Sequence, residues 1–320
     1  MDASRDFLLQ LRWTGRFGNR LLQYAYGATF ARRTGFEYWL PSEWEGTRLF
    51  AHQPHPVVSN AEIRAAVAEP TEGSASNALR MDVVRKYFPE AEIFDAEVIR
   101  DPYAAPGHPV CHANGCAYNP AIFAGMSRAH LRSVCEFSDE VKRLPAYRRY
   151  SDLQGLYDVA HLRRDDISDA EYNRHHAQGY SVISRDAYFA AFEKFGYSAD
   201  GIQWVSDDYT GKWHTNRRAR YPAGWTYPTG SEYVKGMVFD WLDDFLKLYF
   251  ARTIFRANSS FSWWAGVLSP TARVFSPVLD RRHIYGVDGL EEIDVEFVEG
   301  NHPHWLYAGD HANPDIVLGP

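Results

Sequence analysis

The sequence predicts an α/β protein in which helices cover parallel sheets. After residue 150, segments patterned as buried strands alternate with segments of helical periodicity, an order typical of a parallel sheet. The chain also opens with a strand, a glycine-containing turn and a helix. A chain of 320 residues is longer than a single hydrophobic core usually supports, so the length favours two domains. We expect them to span residues 1–150 and 151–320.

The composition argues against several classes of protein. The mean hydropathy is −0.42, and no apolar run approaches the ~20 residues that span a bilayer. A net charge of −7 argues against a general nucleic-acid binder. The three cysteines fit no zinc or redox spacing, and the polar N-terminus lacks the regions of a signal peptide. We therefore expect a cytoplasmic protein with no membrane span and no nucleic-acid partner.

The first half contains one readable strand–turn–helix unit. Phe7 to Trp13 alternates in the manner of a strand. Gly15-Arg16-Phe17-Gly18-Asn19 follows, and apolar residues then recur at helical spacing until Gly35. Glycines let such a loop approach an anion closely, although a plain sharp turn explains them equally well. Farther on, Pro145 to Gly155 is the candidate hinge between the domains.

The second half contains three predicted strands that end in polar clusters. The strands begin near Tyr157, Gly201 and Thr253, and they end in Arg163-Arg164-Asp165-Asp166, Ser206-Asp207-Asp208 and Asn258-Ser259-Ser260. The intervening sequence predicts a helix capped by Asp186, a long loop from Thr210 to Ser231 and an amphipathic helix from Val234 to Tyr249. Parallel strands bring their carboxyl ends to one edge of the sheet, where open α/β folds bind ligands. The three clusters therefore predict a site.

Paired guanidiniums suit a diphosphate, because each presents a planar fork of donors that stays protonated. The alternative interpretation of Arg163 and Arg164 is a surface Arg–Asp ion pair. A metal-dependent diphosphate site would need Asp-x-Asp or a comparable pair, and no two aspartates in the chain are separated by one residue. Adjacent aspartates point to opposite sides of a strand, and Asp243-Asp244 is expected on a solvated helix face. The predicted site binds an anion through arginine, without a metal.

Three segments resemble the signature segments of the α-1,2-fucosyltransferases (glycosyltransferase family 11), part of a wider fucosyltransferase group with a His-x-Arg-Arg-x-Asp motif. His161-Leu162-Arg163-Arg164-Asp165-Asp166 matches that motif. The stretch from Gly15 to Ala25 is similar to the family's Gly-Gly-Leu-Gly-Asn-Gln segment and the Gln-Tyr-Ala after it. Asn258-Ser259-Ser260-Phe261-Ser262-Trp263-Trp264 is similar to the third segment. The segments occur in the family's order.

The resemblance implies a GT-B fold, with two Rossmann-like domains facing a cleft. GDP-fucose would be bound mainly by residues 151–320, and the acceptor by residues 1–150, which carry the glycine loop. The reaction would move fucose to a hydroxyl of a glycan acceptor with inversion, and it would need no metal and no other cofactor. Such an enzyme without a membrane anchor is expected in a bacterium or a virus.

The resemblance also implies roles for individual residues. Arg163 and Arg164 would hold the diphosphate and stabilise charge on the leaving GDP, while Asp166 and His161 would orient the arginines or contact the nucleotide. The other expected donor contacts are Asp207, Asp208, Asn258, Ser259, Ser260, Phe261, Gly15, Gly18 and Asn19. No motif identifies a catalytic base. Trp263 and Trp264 are expected to pack within a helix rather than to form a sugar platform.

Departures from the family pattern leave the substrates open. Arg16, Phe17 and Arg20 replace residues usual in the family, and Asp165 stands where the family usually has glycine. Asp165 adds negative charge near the expected phosphates. Two alternatives therefore remain: a glycosyltransferase of the same fold that uses another nucleotide sugar, and a non-catalytic nucleotide- or glycan-binding protein.

Overall fold

The structure, a computed structural model, describes residues 6–41, 44–51, 55–68, 74–95, 101–112, 120–164, 182–206, 232–234, 237–279 and 292–302. Among these residues, no helix combines the length and the apolar character that crossing a bilayer requires. The chain divides into two units. Unit 1 comprises Met1–Asp139 with Val317–Pro320, and unit 2 comprises Glu140–Ile316.

Unit 1 is built on a parallel sheet. Its described strands are β1 (Phe7–Gln10), β2 (Glu37–Trp39), β3 (Glu92–Phe94) and β4 (Val110–His112), in the spatial order β2-β1-β4-β3. The helices are α1 (Phe17–Thr34), α2 (Gly46–Leu49), α3 (Ala61–Ala68), α4 (Ser74–Arg85), α5 (Pro120–Gly125), α6 (Arg128–Val134) and α7 (Asp139–Arg143), the last running on into unit 2. All four residues of β1 are buried, as suits a central strand of a parallel sheet.

The predicted strand, turn and helix at the start of unit 1 are confirmed. The strand ends at Gln10, earlier than the predicted Trp13, and the chain then turns at Gly15 with φ of +72°. A Cβ at Gly15 would meet the Asn19 side-chain nitrogen at 2.5 Å, so both conformation and space require glycine there. Helix α1 ends at Gly35, whose φ of +80° and N–H···O bond to Ala31 make a left-handed C-cap.

Unit 2 is built on a five-stranded sheet. The described strands are β5 (Asp158–Leu162), β6 (Val182–Ile183), β7 (Ile202–Ser206), β8 (Glu232–Val234), β9 (Met237–Phe239), β10 (Thr253–Phe255), β11 (Arg273–Pro277), β12 (Glu292–Ile293) and β13 (Phe297–Glu299). The helices are α8 (Pro145–Asp152), α9 (Arg185–Phe195), α10 (Leu242–Tyr249) and α11 (Ser260–Leu268). The main sheet has the order β13-β11-β10-β5-β7, and only β13 is antiparallel within it.

Aromatic side chains fill the core of unit 2. Phe255 of β10 stacks on Phe275 of β11, with ring centroids 4.7 Å apart, and meets Phe192 of α9 edge-on at the same distance. Trp204 of β7 and Tyr188 of α9 belong to the same cluster. Offset and edge-on aromatic pairs add to the gain from burial, so this core fixes the strands that lead to the polar clusters.

The long helix predicted from Val234 to Tyr249 was wrong in its first half. Strands β8 and β9 form an antiparallel hairpin in which Val234 pairs with Met237, and the helix begins only at Leu242. Lys235 and Gly236, which separate the two strands in the sequence, lie outside the described residues. Apolar periodicity alone did not reveal this interruption.

Two further local predictions need correction. The side chain of Ser184, rather than that of Asp186, caps α9 by accepting a hydrogen bond of 3.0 Å from the Ala187 N–H. The candidate hinge from Pro145 to Gly155 consists mostly of helix α8. The predicted domain ranges 1–150 and 151–320 stay a prediction. Proline at the first position of α8 starts a helix, because its missing N–H has no partner to lose there.

Asp243 and Asp244 are buried, so the prediction of a solvated face was also wrong. Asp243 forms an ion pair with Arg149 of α8 and accepts a hydrogen bond of 3.0 Å from the Tyr150 hydroxyl. These contacts join α8 to α10. The Asp243 carboxylate can be buried because Arg149 and Tyr150 of α8 provide it with partners. These residues are distant in the sequence, so the local pattern around Asp243 does not indicate them.

Candidate functional site

The carboxyl ends of β5, β7 and β10 lie side by side. The parallel register pairs Leu162 with Ser206 and Ala160 with Phe255. The ends of the three strands therefore lie at the same edge of the sheet, as predicted. Four of the predicted site residues, Asp165, Asp166, Asp207 and Asp208, lie outside the described residues.

The two arginines after β5 have different environments. Arg164 is 3% exposed, and its guanidinium donates to the Ile183 carbonyl at 2.9 Å and to the Arg163 carbonyl at 3.0 Å. Arg163 is only partly buried, and its Nη1 lies 3.5 Å from the Asn258 carbonyl, a long hydrogen bond. Arg164 thus ties the end of β5 to β6, while Arg163 reaches the connection between β10 and α11.

His161, the last but one residue of β5, is neutral. Burial, together with the charges of Arg163, Arg256 and Arg164, lowers its pKa to about 3. Its ring lies 5.8 Å from the ring of Phe261, and its Nδ1 is buried without a hydrogen-bond partner. An imidazole in this state can accept or donate a hydrogen bond but is a very weak base at neutral pH.

The N-terminus of α11 lies at the same edge of the sheet. Ser259 caps the helix, its hydroxyl accepting a hydrogen bond of 3.2 Å from the Phe261 N–H. A helix N-terminus attracts anions through its N–H groups and the positive end of the helix dipole. Trp263 and Trp264 are 1% and 0% exposed, so the prediction that they pack within the protein is confirmed.

The glycine loop belongs to unit 1. Gly18 and Asn19 lie in the first turn of α1, after Gly15. Arg20 closes this turn by donating to the Gly15 carbonyl at 2.9 Å, and it also forms an ion pair with Glu45 at 2.7 Å. The structure therefore gives Arg20, one of the departures from the family pattern, a role in holding the loop.

A buried polar network at the carboxyl edge of the unit 1 sheet was not predicted. Gln10 of β1 is in register with His112 of β4, and its side-chain oxygen accepts hydrogen bonds from the Tyr38 hydroxyl at 3.0 Å and from His112 Nδ1 at 3.2 Å. Gln23 of α1 extends the network by binding both the N–H and the C=O of Thr14. Gln10 within an apolar strand was the only visible signal in the sequence.

Arg256 was not among the site residues predicted from the sequence. This side chain is fully buried and lies close enough to His161 for its charge to lower the pKa of that imidazole. A charged residue directly after the apolar strand Thr253–Phe255 could have drawn attention to it. The described residues hold no group of three or more His, Cys, Asp or Glu side chains that could bind a metal ion, and metal independence stays a prediction.

Comparison with known proteins places the fold. No protein-family model and no curated protein matches the chain. A mutant of Arabidopsis thaliana FUT1 in complex with GDP is 10% identical with a TM-score of 0.50, over 92% of this chain and 74% of that one. The chain has an α/β fold of the GT-B class, as predicted. At this identity the similarity shows the fold alone.

Two further fucosyltransferase structures are similar over most of their length. The NodZ α-1,6-fucosyltransferase of Bradyrhizobium, soaked with GDP-fucose, is 12% identical with a TM-score of 0.49, over 92% of this chain and 99% of that one. The apo form of POFUT1 is 13% identical with a TM-score of 0.45, over 86% of this chain and 98% of that one.

Proposed function

We propose that this protein is a glycosyltransferase that moves fucose from GDP-fucose to a hydroxyl of a glycan acceptor. The observation that supports this most is the pair Arg163 and Arg164 at the end of β5, beside the connection to the N-terminus of α11. Two guanidiniums and a helix N-terminus are the groups that bind a diphosphate without a metal. Transfer is proposed to be metal-independent and inverting, with an α-1,2 linkage as the first linkage to test.

The two arginines have separate roles in this proposal. Arg163 is the more accessible of the two and contacts the diphosphate directly. Arg164, which is held by the Ile183 and Arg163 carbonyls, fixes the position of Arg163 and adds positive charge beneath the leaving group. Charge that develops on the departing GDP is stabilised by donors already in place, which lowers the barrier.

His161 is assigned a hydrogen-bonding role. With a pKa of about 3, it stays neutral at the pH of a cell and does not act as a general base. Asp166 is proposed as a partner of the arginines only because of its place in the His-x-Arg-Arg-x-Asp motif. No described residue is proposed as the catalytic base, and a loose oxocarbenium-like transition state needs little help from one.

A glycosyltransferase that uses a donor other than GDP-fucose is the first alternative to this proposal. Asp165, in place of the usual glycine, adds a negative charge next to the arginine pair, and this favours testing other nucleotide sugars. A non-catalytic binding protein is the remaining alternative. It would bind the nucleotide but release no GDP from the sugar nucleotide in the presence of an acceptor.

Calorimetry with GDP, GDP-fucose and a panel of other nucleotide sugars tests the proposal, first in EDTA and then with Mg²⁺. GDP is the first probe because the FUT1 structure of the same fold contains it. We expect GDP binding that EDTA does not weaken. Arg163→Ala removes charge-assisted hydrogen bonds, so we expect it to weaken GDP binding at least tenfold. Arg273→Ala, a change to an exposed arginine in the same sheet, is the control and should bind as the wild type does.

A further inference from the structure

Arg256 lies one residue beyond β10, at the edge of the sheet where the arginine pair lies. Phe255 is in register with Ala160 of β5. Arg256 and His161 are the next residues after this pair. The Arg256 N–H continues the pairing with β11 by donating to the Phe275 carbonyl at 3.0 Å. Its side chain is 0% exposed, and burial lowers its pKa to about 9.

The guanidinium of Arg256 joins three segments of unit 2. Nη1 donates to the Ala257 carbonyl at 3.0 Å, on the connection that leads to α11. Nε donates to the Ser276 hydroxyl of β11 at 2.7 Å, and Nη2 donates to the carbonyl of His302. These three acceptors are two carbonyl groups and a hydroxyl, and together they orient the plane of the guanidinium.

Ser276 provides Arg256 with a rigid anchor. Its hydroxyl accepts from Arg256 Nε and from the His302 N–H at 3.1 Å, and it donates to the Gly300 carbonyl at 2.7 Å. A hydroxyl has one donor and two acceptor positions, and all three are used. The orientation of the hydroxyl is therefore fixed, and with it the plane of the guanidinium.

Two guanidiniums hold successive carbonyls of the same connection. Arg256 binds the Ala257 carbonyl from inside the protein, and Arg163 contacts the Asn258 carbonyl at 3.5 Å from the partly exposed side. The orientation of one peptide group constrains that of the next, because each residue has only two soft dihedral angles. By orienting the Ala257 peptide group, Arg256 therefore also constrains the position of the Asn258 carbonyl that Arg163 contacts.

We propose that Arg256 is a positioning residue for the diphosphate site. It fixes the peptide groups of Ala257 and Asn258, and through them both the first turn of α11 and the side chain of Arg163. The inference rests on the proposed function, since it assigns Arg256 to the site that binds the nucleotide. Arg256 itself is buried and does not contact the ligand.

Arg256→Lys tests the proposal, because lysine keeps the charge but cannot reproduce the planar fork that holds three acceptors. We expect the variant to weaken GDP binding about tenfold or more, and to raise the donor KM by a similar factor while kcat changes less than about threefold. Arg273→Lys is the matched control: it changes an exposed arginine of β11 that is paired with Glu299. GDP affinity is read by calorimetry at 15 °C, and folding by circular dichroism.

Ser276→Ala is a second variant, needed if Arg256→Lys does not fold. It removes the hydroxyl that orients the guanidinium, and we expect a smaller loss of GDP affinity in the same direction. A purely structural role would lower the melting temperature of both variants and leave GDP affinity and donor KM unchanged at 15 °C. That result, together with a large loss of affinity in Arg163→Ala, would overturn the positioning role alone. Unchanged GDP binding in Arg163→Ala would instead overturn the proposed function, and the inference with it.

Discussion

Acidification should destabilise unit 1 through His112. This histidine is fully buried, and its Nε2 has no hydrogen-bond partner. Protonation would place a positive charge and an N–H without an acceptor at a site that is closed to water. Burial accordingly lowers the pKa of His112 from 6.5 to about 4.

The sign and size of the effect follow from linkage. Between pH 6.5 and 4 the unfolded chain binds a proton at His112 that the folded chain does not, so the free energy of unfolding falls as the pH falls. At pH 5 the unfolded pKa lies about 1.5 units above the pH, and each unit corresponds to about 1.36 kcal/mol. The contribution of His112 lost between pH 7 and pH 5 is therefore about 2 kcal/mol.

The measurement needs a variant that lacks His112, since His55 in unit 1 and His161 in unit 2 produce losses of the same sign. Urea denaturation followed by pulsed hydrogen exchange, read on peptides that contain β1 and β4, reports on unit 1. His112→Gln removes the titrating group and should lose about 2 kcal/mol less than the wild type on going from pH 7 to pH 5. Equal losses in the two proteins would show that His112 is not the buried neutral group inferred here.

Two further predictions concern packing. Gly15→Ala should lower the free energy of unfolding of unit 1 by about 2 kcal/mol, because a Cβ at that left-handed residue also meets the side-chain amide of Asn19. Gly35→Ala, left-handed but with open space around it, should lower it by only about 1 kcal/mol. Asp243→Ala should lower the free energy of unfolding of unit 2 by about 1–3 kcal/mol, because the Tyr150 hydroxyl loses its buried acceptor. Asp240→Ala, at an exposed position, should change it by less than about 0.5 kcal/mol. Equal effects within either pair, measured by urea denaturation, would contradict the assigned contacts.

Features that are local in the chain could be predicted from the sequence. Thr253–Phe255 is a strand as expected, Gly35 ends α1, and Ser259 caps α11 before an apolar helical run. Each depends on a few neighbouring residues, through β propensity, left-handed conformation or a capping hydroxyl. The alignment of the strand ends followed from the parallel connectivity of the sheet. These features were enough to bring Arg163 and Asn258 to the same edge.

Features that depend on distant partners could not be predicted in this way. Asp243 is buried because Arg149 and Tyr150 come from another helix, and no pattern around Asp243 shows this. The same holds for Arg256, whose acceptors Ser276 and His302 lie farther along the chain. Polar residues at buried positions are specified by tertiary contacts, so reading local periodicity assigns them to the surface.

The hydrogen bonds of Arg164 to Ile183 and of Arg256 to Ser276 have a thermodynamic consequence for any ligand at this edge. An arginine side chain carries about 2 kcal/mol of rotamer entropy, which these two residues have given up on folding. The site that receives a ligand is therefore supported by guanidiniums whose freedom is already lost, and the affinity is not reduced by ordering them. Substitutions that loosen Ile183 or Ser276 should return that freedom and shorten the lifetime of the complex, although neither side chain need touch the ligand.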